Sequence, residues 1–463
     1  MMAAPALASP NFILVLADDL GWSSLSTSMD RNLPSAHSDY YRTPNLDALA
    51  AGGLRFSNGY AAAPVCSPTR YSIQYGKTPA RLRRTRSEKR NLVDHEQVSL
   101  AQVLKSIDPA YLTAHLGKWH IDVDPTALGY DVHDGRTNNR TGGFVDDASQ
   151  WRGHEVDDPK RVDSLTSRAV AFMQDAKSQE RPFFLQLSHY AVHSSIEYSA
   201  EAHAAFASAD QGAIHTDRGY AAMLFDLDQS IGDLMKAYRA LGLEKETYVF
   251  FLSDNGGMPV IPLEVNRGRP YARGLNSPLL RGKWDLMEGG LRVPFVVFGP
   301  EIDPGGQSDV PVVTYDLLPT IAALADPERA ARLPASLDGT SFHDVLFDSR
   351  ATPPRSTKPL FFHFPHYNRV GMSEPHSAIR RGPYKLVRFP VSDRSLLFDL
   401  SKDAGERNDL STERRDLVVE LEAELDAYLR EVEAERPEEG SRWVDAGDSG
   451  RVRTLFFERY EGQ

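Results

Sequence analysis

Four nearly unbroken apolar runs constrain this chain most, because each stops at residues able to do chemistry. Asn11-Phe12-Ile13-Leu14-Val15-Leu16 runs into Asp18-Asp19, and Tyr111-Leu112-Thr113-Ala114-His115-Leu116 runs into Gly117-Lys118-Trp119-His120. Pro182 through Leu187 leads to His189 and His193, and Thr247-Tyr248-Val249-Phe250-Phe251-Leu252 leads to Asp254-Asn255. A run without polar alternation reads as a strand buried on both faces, the habit of parallel sheets covered by helices. Open sheets of that kind bind ligands just beyond the C-terminal ends of their strands. From Tyr220 to Leu243, apolar residues at 220, 223, 224, 227, 231, 234, 235, 238 and 241 make a helical stripe facing a core. Helices are also expected at Thr43–Ala50, at about 161–177 and at Tyr315–Leu324. The main body is therefore α/β.

Beyond about residue 355 the pattern changes to short strands, Leu360–Phe364, Ser377–Arg380, Tyr384–Arg388 and Leu396–Leu400, with a turn at Gly382-Pro383. A helix with Leu417, Leu421, Leu425, Tyr428 and Val432 on one face follows. We expect two units, 1–354 and 355–463, the second a small antiparallel sheet with a packed helix. The 41% hydrophobic content supplies a sizeable core, and the net charge of −12 argues against a nucleic-acid partner. No apolar run approaches the roughly 20 residues needed to span a bilayer, so no membrane partner is expected. The first ten residues have no basic segment or apolar core of a signal peptide. Localisation stays open: periplasmic or secreted if a leader has been removed, cytoplasmic otherwise. Residues 78–97, with Arg81, Arg83, Arg84, Arg86, Lys89 and Arg90, read as an exposed loop, either a solvated face or a basic rim for an anionic polymer.

Asp18 and Asp19 would repel each other unless a cation neutralised them. Asp254 and Asn255 add oxygen donors at a second strand end, and such hard donors suit Ca²⁺ or Mg²⁺. Each pair alone has a plainer reading as a turn. Cys66 is the chain's one cysteine, so it packs, stays a free thiol or does chemistry. Pro68 suits the first turn of a helix, which puts residue 66 at a helix N-terminus, where backbone N–H groups favour an anion. Arg70 follows one turn later on the same face, with a planar fork suited to an oxyanion.

Cys66-Ser67-Pro68-Thr69-Arg70 resembles the C-x-P-x-R signature at which type I sulfatases have a cysteine oxidised to formylglycine, a signature shared with phosphonate monoester hydrolases. The likeness extends upstream through Thr43-Pro44-Asn45-Leu46-Asp47-Ala48-Leu49-Ala50 and Gly52-Gly53. It continues downstream through Gly117-Lys118-Trp119-His120, Asp254-Asn255-Gly256, Gly282-Lys283, Glu288-Gly289-Gly290 and Arg292-Val293-Pro294 to Leu397-Phe398-Asp399-Leu400. Val192 stands where the family usually has proline before His193, and Ile73–Lys77 departs from its usual Leu-Thr-Gly-Arg ending. The resemblance implies an alkaline-phosphatase-like fold, a large, mainly parallel mixed sheet sandwiched by helices beside the smaller antiparallel unit. It implies one Ca²⁺ held by Asp18, Asp19, Asp254, Asn255 and residue 66 as formylglycine. Arg70, Lys118 and Lys283 would bind the sulfuryl group, His193 would protonate the leaving oxygen, and His120 would act as a base. A formylglycine-generating enzyme would be a maturation partner and a sulfated carbohydrate the substrate. His363-Phe364-Pro365-His366-Tyr367 resembles a loop of carbohydrate sulfatases, which gives His363 and His366 a sugar-contacting role, with core packing as the equal alternative. A phosphonate monoester or phosphodiester hydrolase and a non-catalytic glycan-binding relative are the other functions weighed.

Overall fold

The first apolar run becomes the middle of a large sheet. The structure, a computed structural model, describes residues 9–86, 97–259, 276–353, 355, 357–368, 374–438 and 440. Eight strands share this sheet: β1 (Asn11–Ala17), β2 (Leu54–Phe56), β3 (Leu112–Gly117), β4 (Val132–His133), β5 (Phe183–Ser188), β6 (Thr247–Ser253), β7 (Phe295–Phe298) and β8 (Gly306–Ser308). Their spatial order is β8-β2-β7-β6-β1-β5-β3-β4. β1 is buried along its length and pairs in parallel on both sides, Ile13 lying opposite Leu185 and Val249. β7 runs antiparallel to β6 and β2. Residues 254–294 therefore begin and finish at the same pole of the sheet, beyond the end of β6.

Two-residue alternation divides the strands between two helical layers. Ile13, Val15, Leu185, Leu187, Val249 and Phe251 face α2 (Val162–Ser178) and α3 (Arg218–Ala240), meeting Leu165, Leu224 and Leu227. Phe12, Leu14, Leu16, Phe184, Phe250 and Leu252 face α1 (Cys66–Tyr75) and α4 (Leu317–Ala325), meeting Tyr71, Ile73, Leu317 and Ile321. No described helix is long and apolar enough to cross a membrane.

A second, antiparallel sheet contains β9 (Leu360–Phe364), β10 (His376–Arg381), β11 (Tyr384–Phe389) and β12 (Arg394–Asp399). Gly382 makes the β10–β11 turn in the left-handed region, φ 57, which glycine enters without a Cβ penalty. One face packs on α5 (Arg415–Glu431), Ile379, Leu386 and Leu397 meeting Leu417, Leu421 and Leu425. The other shares a core with the large unit, Phe362, Val387, Phe389 and Phe398 meeting Tyr60, Leu286, Leu291 and Val313.

The basic stretch after α1 departs from its reading as an exposed loop. Thr78, Ala80, Leu82, Arg84, Thr85 and Arg86 are buried. Arg81 pairs with Asp338 at 3.0 Å and Glu431 at 3.1 Å, and Arg84 pairs with Asp122. The end of α5 covers this stretch, Tyr428 reaching Thr78 at 2.5 Å. These arginines are committed to protein carboxylates, which removes them from a basic rim. Lys89 and Arg90 lie outside the described residues.

Candidate active site

Asp18 and Asp19 leave β1 where the strand alternation breaks. Asp19 takes a left-handed backbone, φ 61, a conformation that Asp tolerates better than most residues. Both carboxylates consequently engage groups at the same pole. The Asp19 N–H donates to Asp254 Oδ1 at 3.2 Å, and Asn255 Nδ2 donates to Asp19 Oδ1 at 2.8 Å. Three cations face the three carboxylates: Lys118 Nζ is 2.5 Å from Asp18 Oδ2, and Lys283 Nζ is 2.7 Å from Asp19 Oδ2. Arg70 brings Nε to 2.9 Å and Nη2 to 2.8 Å from Asp254 Oδ2. All six charged groups are at most 3% exposed.

The cluster still has acceptors to spare. Asp18 Oδ1 and Asn255 Oδ1 are buried and have no hydrogen-bond partner. An orphaned buried acceptor costs about 1–3 kcal/mol. One ligand atom each from Asp18, Asp254 and Cys66 lie within 4.8 Å of one another. Burial, followed by the Asp18 charge, holds the Asp254 carboxyl above its ordinary range, against the pull of Arg70, Lys118 and Lys283. Spare hard oxygens and a destabilised carboxylate fit a divalent cation of the Ca²⁺ or Mg²⁺ type.

Cys66 is the first residue of α1, with Val65 extended at the N-cap and Pro68 in the first turn. Its Sγ is 3.3 Å from His120 Nδ1. Burial pushes the thiol up, with Lys118 and Lys283 opposing. Lys118 and His120 reach the site on a chain that is no longer extended. β3 ends at Gly117, and His120 adopts φ 57, so Lys118 meets Asp18 while His120 turns to Cys66. Burial, then Lys118, holds the His120 imidazole well below its ordinary value. The Arg70 fork also donates to the Lys118 carbonyl, tying α1 to the end of β3.

His193 stands 3.7 Å from Asp19 through Nε2 and donates from Nδ1 to the Ser194 carbonyl at 2.5 Å. Asn139 Nδ2 donates to His193 Nε2 at 3.3 Å, and Phe144 meets the ring edge-on at 5.2 Å. Lys160, 1% exposed, donates to the Gly142 carbonyl at 3.1 Å. Burial draws its amine down to about 8, while Glu197 and Asp18 pull back. The sequence reading missed Asn139, Phe144 and Lys160. They lie in a stretch whose Asp, Gly and Asn content signals turns, and nothing there specifies which side chain turns inward.

The structure buries His363 and His366, in keeping with the core-packing alternative. His363 Nδ1 meets Ser377 Oγ at 2.8 Å and Nε2 meets the Glu435 carbonyl at 2.6 Å, which commits both ring nitrogens to the protein. His366 is 0% exposed, with Nε2 2.9 Å from Thr85 Oγ1. Burial holds the two rings down to about 4 and about 3. Both histidines pack the seam beside the C-terminal sheet, the alternative that burial favours.

Comparison with known proteins shows the family of the chain. The description "Sulfatase" matches residues 10–327, and "N-sulphoglucosamine sulphohydrolase, C-terminal" matches residues 282–435. The chain is 33% identical to arylsulfatase A of Bos taurus over 465 residues, covering 88% of this chain and 84% of that one. Its fold is similar to that of Ps i-CgsB in complex with k-i-k-neocarrahexaose, with TM-score 0.71, 24% identity, 98% of this chain and 100% of that one. It is also similar to a protein solved with its substrate D-glucosamine-2-N,6-O-disulfate, with TM-score 0.69, 18% identity, 93% of this chain and 99% of that one. A family match over most of the chain, joined to a full-length relative at this identity, makes the protein a member of the sulfatase family and a sulfuric ester hydrolase.

Proposed function

We propose that the pole cluster is the catalytic centre of a carbohydrate sulfatase that carries formylglycine at position 66 and one Ca²⁺ ion. The observation that carries this is the meeting of two orphaned buried oxygens and three buried cations around the chain's one cysteine. Asp18, Asp19, Asp254, Asn255 and residue 66 would hold the ion. When present, the ion would polarise a sulfate oxygen and formylglycine would supply a hydroxyl nucleophile.

The chain's own groups account for the rest. Arg70, Lys118 and Lys283 present buried positive charge to the oxygens of a transferring sulfuryl group, where the low dielectric strengthens each interaction. His193, its ring fixed by Ser194 and Phe144, would take a proton at Nε2 in place of the Asn139 hydrogen bond and deliver it to the leaving sugar oxygen. His120 Nδ1, 3.3 Å from the side-chain atom of residue 66, moves the proton at that position. Asn139 and Phe144 would line the leaving-group side through their contacts with His193. Cys66 is 6% exposed, which supports the action of a formylglycine-generating enzyme before the pocket closes. The sugar-bound fold neighbours support a carbohydrate substrate. We propose the boundary between catalytic unit and C-terminal unit at 354/355.

The test is inorganic sulfate release from a panel of sulfated glycans. The protein is co-expressed with a formylglycine-generating enzyme, and Cys66→Ala is assayed alongside. Release confined to the unsubstituted protein supports the proposal. An aldehyde verified at residue 66, with turnover of phosphonate monoesters and none of any sulfated glycan, would overturn it.

A further inference from the structure

Lys283 reaches the pole from a segment that belongs to neither sheet, and the backbone N–H groups of that segment are divided between the two parts of the molecule. The Lys283 N–H donates to the Gly257 carbonyl and the Trp284 N–H to the Pro64 carbonyl, each at 2.9 Å. These bonds seat the segment beside Asn255 and Cys66. The next donors turn the other way. The Leu286 N–H donates to His376 Nε2 at 2.9 Å, and the Glu288 N–H donates to Glu406 Oε2 at 2.7 Å. Both of these acceptors are side chains from the C-terminal part, so the seat depends on residue identity there.

His376 is built to accept. Its Nδ1 donates to the Glu374 carbonyl at 2.6 Å, which leaves Nε2 with a lone pair for Leu286. The ring is 1% exposed and stacks on Phe389 at 5.4 Å and 15°. Glu406 is fixed by Lys385, whose Nζ lies 2.8 Å from Glu406 Oε1 and 2.9 Å from Glu288 Oε1. Lys283 itself is a point charge on a flexible four-carbon stem. Its 2.7 Å approach to Asp19 therefore relies on where its backbone is held.

We propose that His376, supported by Glu406, is a positioning residue for Lys283. The C-terminal sheet makes none of the pole cluster's hydrogen bonds among the described residues, yet it sets the seat of a sulfuryl-binding cation through the main chain of residues 283–288. This rests on the reading of Lys283 given above. It accounts for the small sheet sharing a hydrophobic core with Leu286 and Leu291.

The experiment compares His376→Phe, which keeps the stacking and loses the acceptor, with His376→Gln, which offers an oxygen near the Nε2 position. Each is made in the unsubstituted protein and in Lys283→Ala, and kcat and KM are measured by sulfate release. His376→Phe is expected to lower kcat/KM by about tenfold or more, mostly in kcat, since displacing a catalytic group by an ångström costs up to ~10²-fold. His376→Gln is expected to restore most of that loss. In Lys283→Ala, His376→Phe should cost nothing further. Amide hydrogen exchange should quicken at 283–288 in His376→Phe while β10 and β11 stay protected. An equal fractional loss in both backgrounds, or unchanged exchange at 283–288, overturns the proposal. Full activity in Lys283→Ala would instead refute the role of Lys283, leaving the exchange data to judge the positioning. If Lys283→Ala is too slow to measure, rescue by glutamine and the exchange data decide.

Discussion

At the pole, Asp18, Asp19 and Asp254 face Arg70, Lys118 and Lys283; at the seam between the sheets, Glu288 and Glu406 face Arg292, Arg380 and Lys385. Both clusters are buried, and they spend their oxygens differently. At the seam, Glu288 Oε1 meets Lys385 at 2.9 Å, and Oε2 meets Arg292 Nε and the Tyr60 hydroxyl, each at 2.7 Å. Glu406 Oε1 has no hydrogen bond but lies 2.8 Å from the Lys385 ammonium as an ion pair, and Oε2 accepts from the Glu288 N–H. The pole keeps Asp18 Oδ1 and Asn255 Oδ1 without a donor. A network whose carboxylate oxygens each meet a cation or a donor rigidifies a fold, whereas one with oxygens facing neither has capacity for a ligand. Charge content alone would not have separated them.

The comparison breaks most readily at the pole. Asn255→Ala should lower sulfate release by ~10²–10³-fold, the scale for losing one preorganised electrostatic group. Its metal-free stability should fall by ~1–3 kcal/mol, since the lost oxygen had no partner but the lost amide N–H was a donor to Asp19 Oδ1. A collapse of the unfolding midpoint would make the pole a staple like the seam. Glu288→Ala should do the reverse, costing ~3–5 kcal/mol in denaturant unfolding, because Arg292 would be left buried without its counter-charge and Lys385 with Glu406 alone. Added Ca²⁺ sharpens the contrast. At a hundred times its dissociation constant it should stabilise the protein by ~2.7 kcal/mol. Glu288→Ala should keep that increment and Asn255→Ala should lose most of it, as read from thermal midpoints.

A smaller effect separates the clusters by pH. Burial pushes the Glu406 carboxyl from 4.5 up to about 7, against the pull of Lys385. The folded state then binds this proton more tightly than the unfolded chain does, so the stabilisation is complete below about 4.5 and is lost as pH rises through about 7. Glu406→Gln mimics the protonated acid and should flatten the stability profile across that window. An unchanged profile would assign the slope to other groups. The smallest change is expected at the exposed pair Lys177–Glu246, at 3.1 Å and 46% and 41% exposed. Lys177→Ala should shift the denaturant midpoint by no more than ~0.2–1 kcal/mol, as surface pairs do.

What the sequence discloses follows from how local each signal is. β1, β5 and β6 are legible because burial on both faces removes polar alternation, and Asp18-Asp19 and Asp254-Asn255 follow them directly. The helix at Cys66 is legible from Pro68. The reversed direction of β7 is not legible, because strand direction depends on where residues 254–294 return. Arg81 and Arg84 read as exposed because their partners, Asp338, Glu431 and Asp122, are remote or unremarkable in sequence. His363 and His366 leave two readings open for the matching reason: a polar aromatic run is the same whether its nitrogens meet a sugar or a backbone carbonyl. Lys283 is legible as a residue, but its support by His376 and Glu406 arises roughly a hundred residues later and leaves no local trace.

The burial of Cys66 also sets a clock. The sulfur lies under groups made much later in synthesis, Asp254 following it by 188 positions (254 less 66). At synthesis rates of about 5–20 residues per second, that separation lasts roughly 10–40 s. Any enzyme altering this side chain, as proposed above, would work to a deadline fixed by residue order, and slowing translation between 66 and 254 would lengthen the time it has.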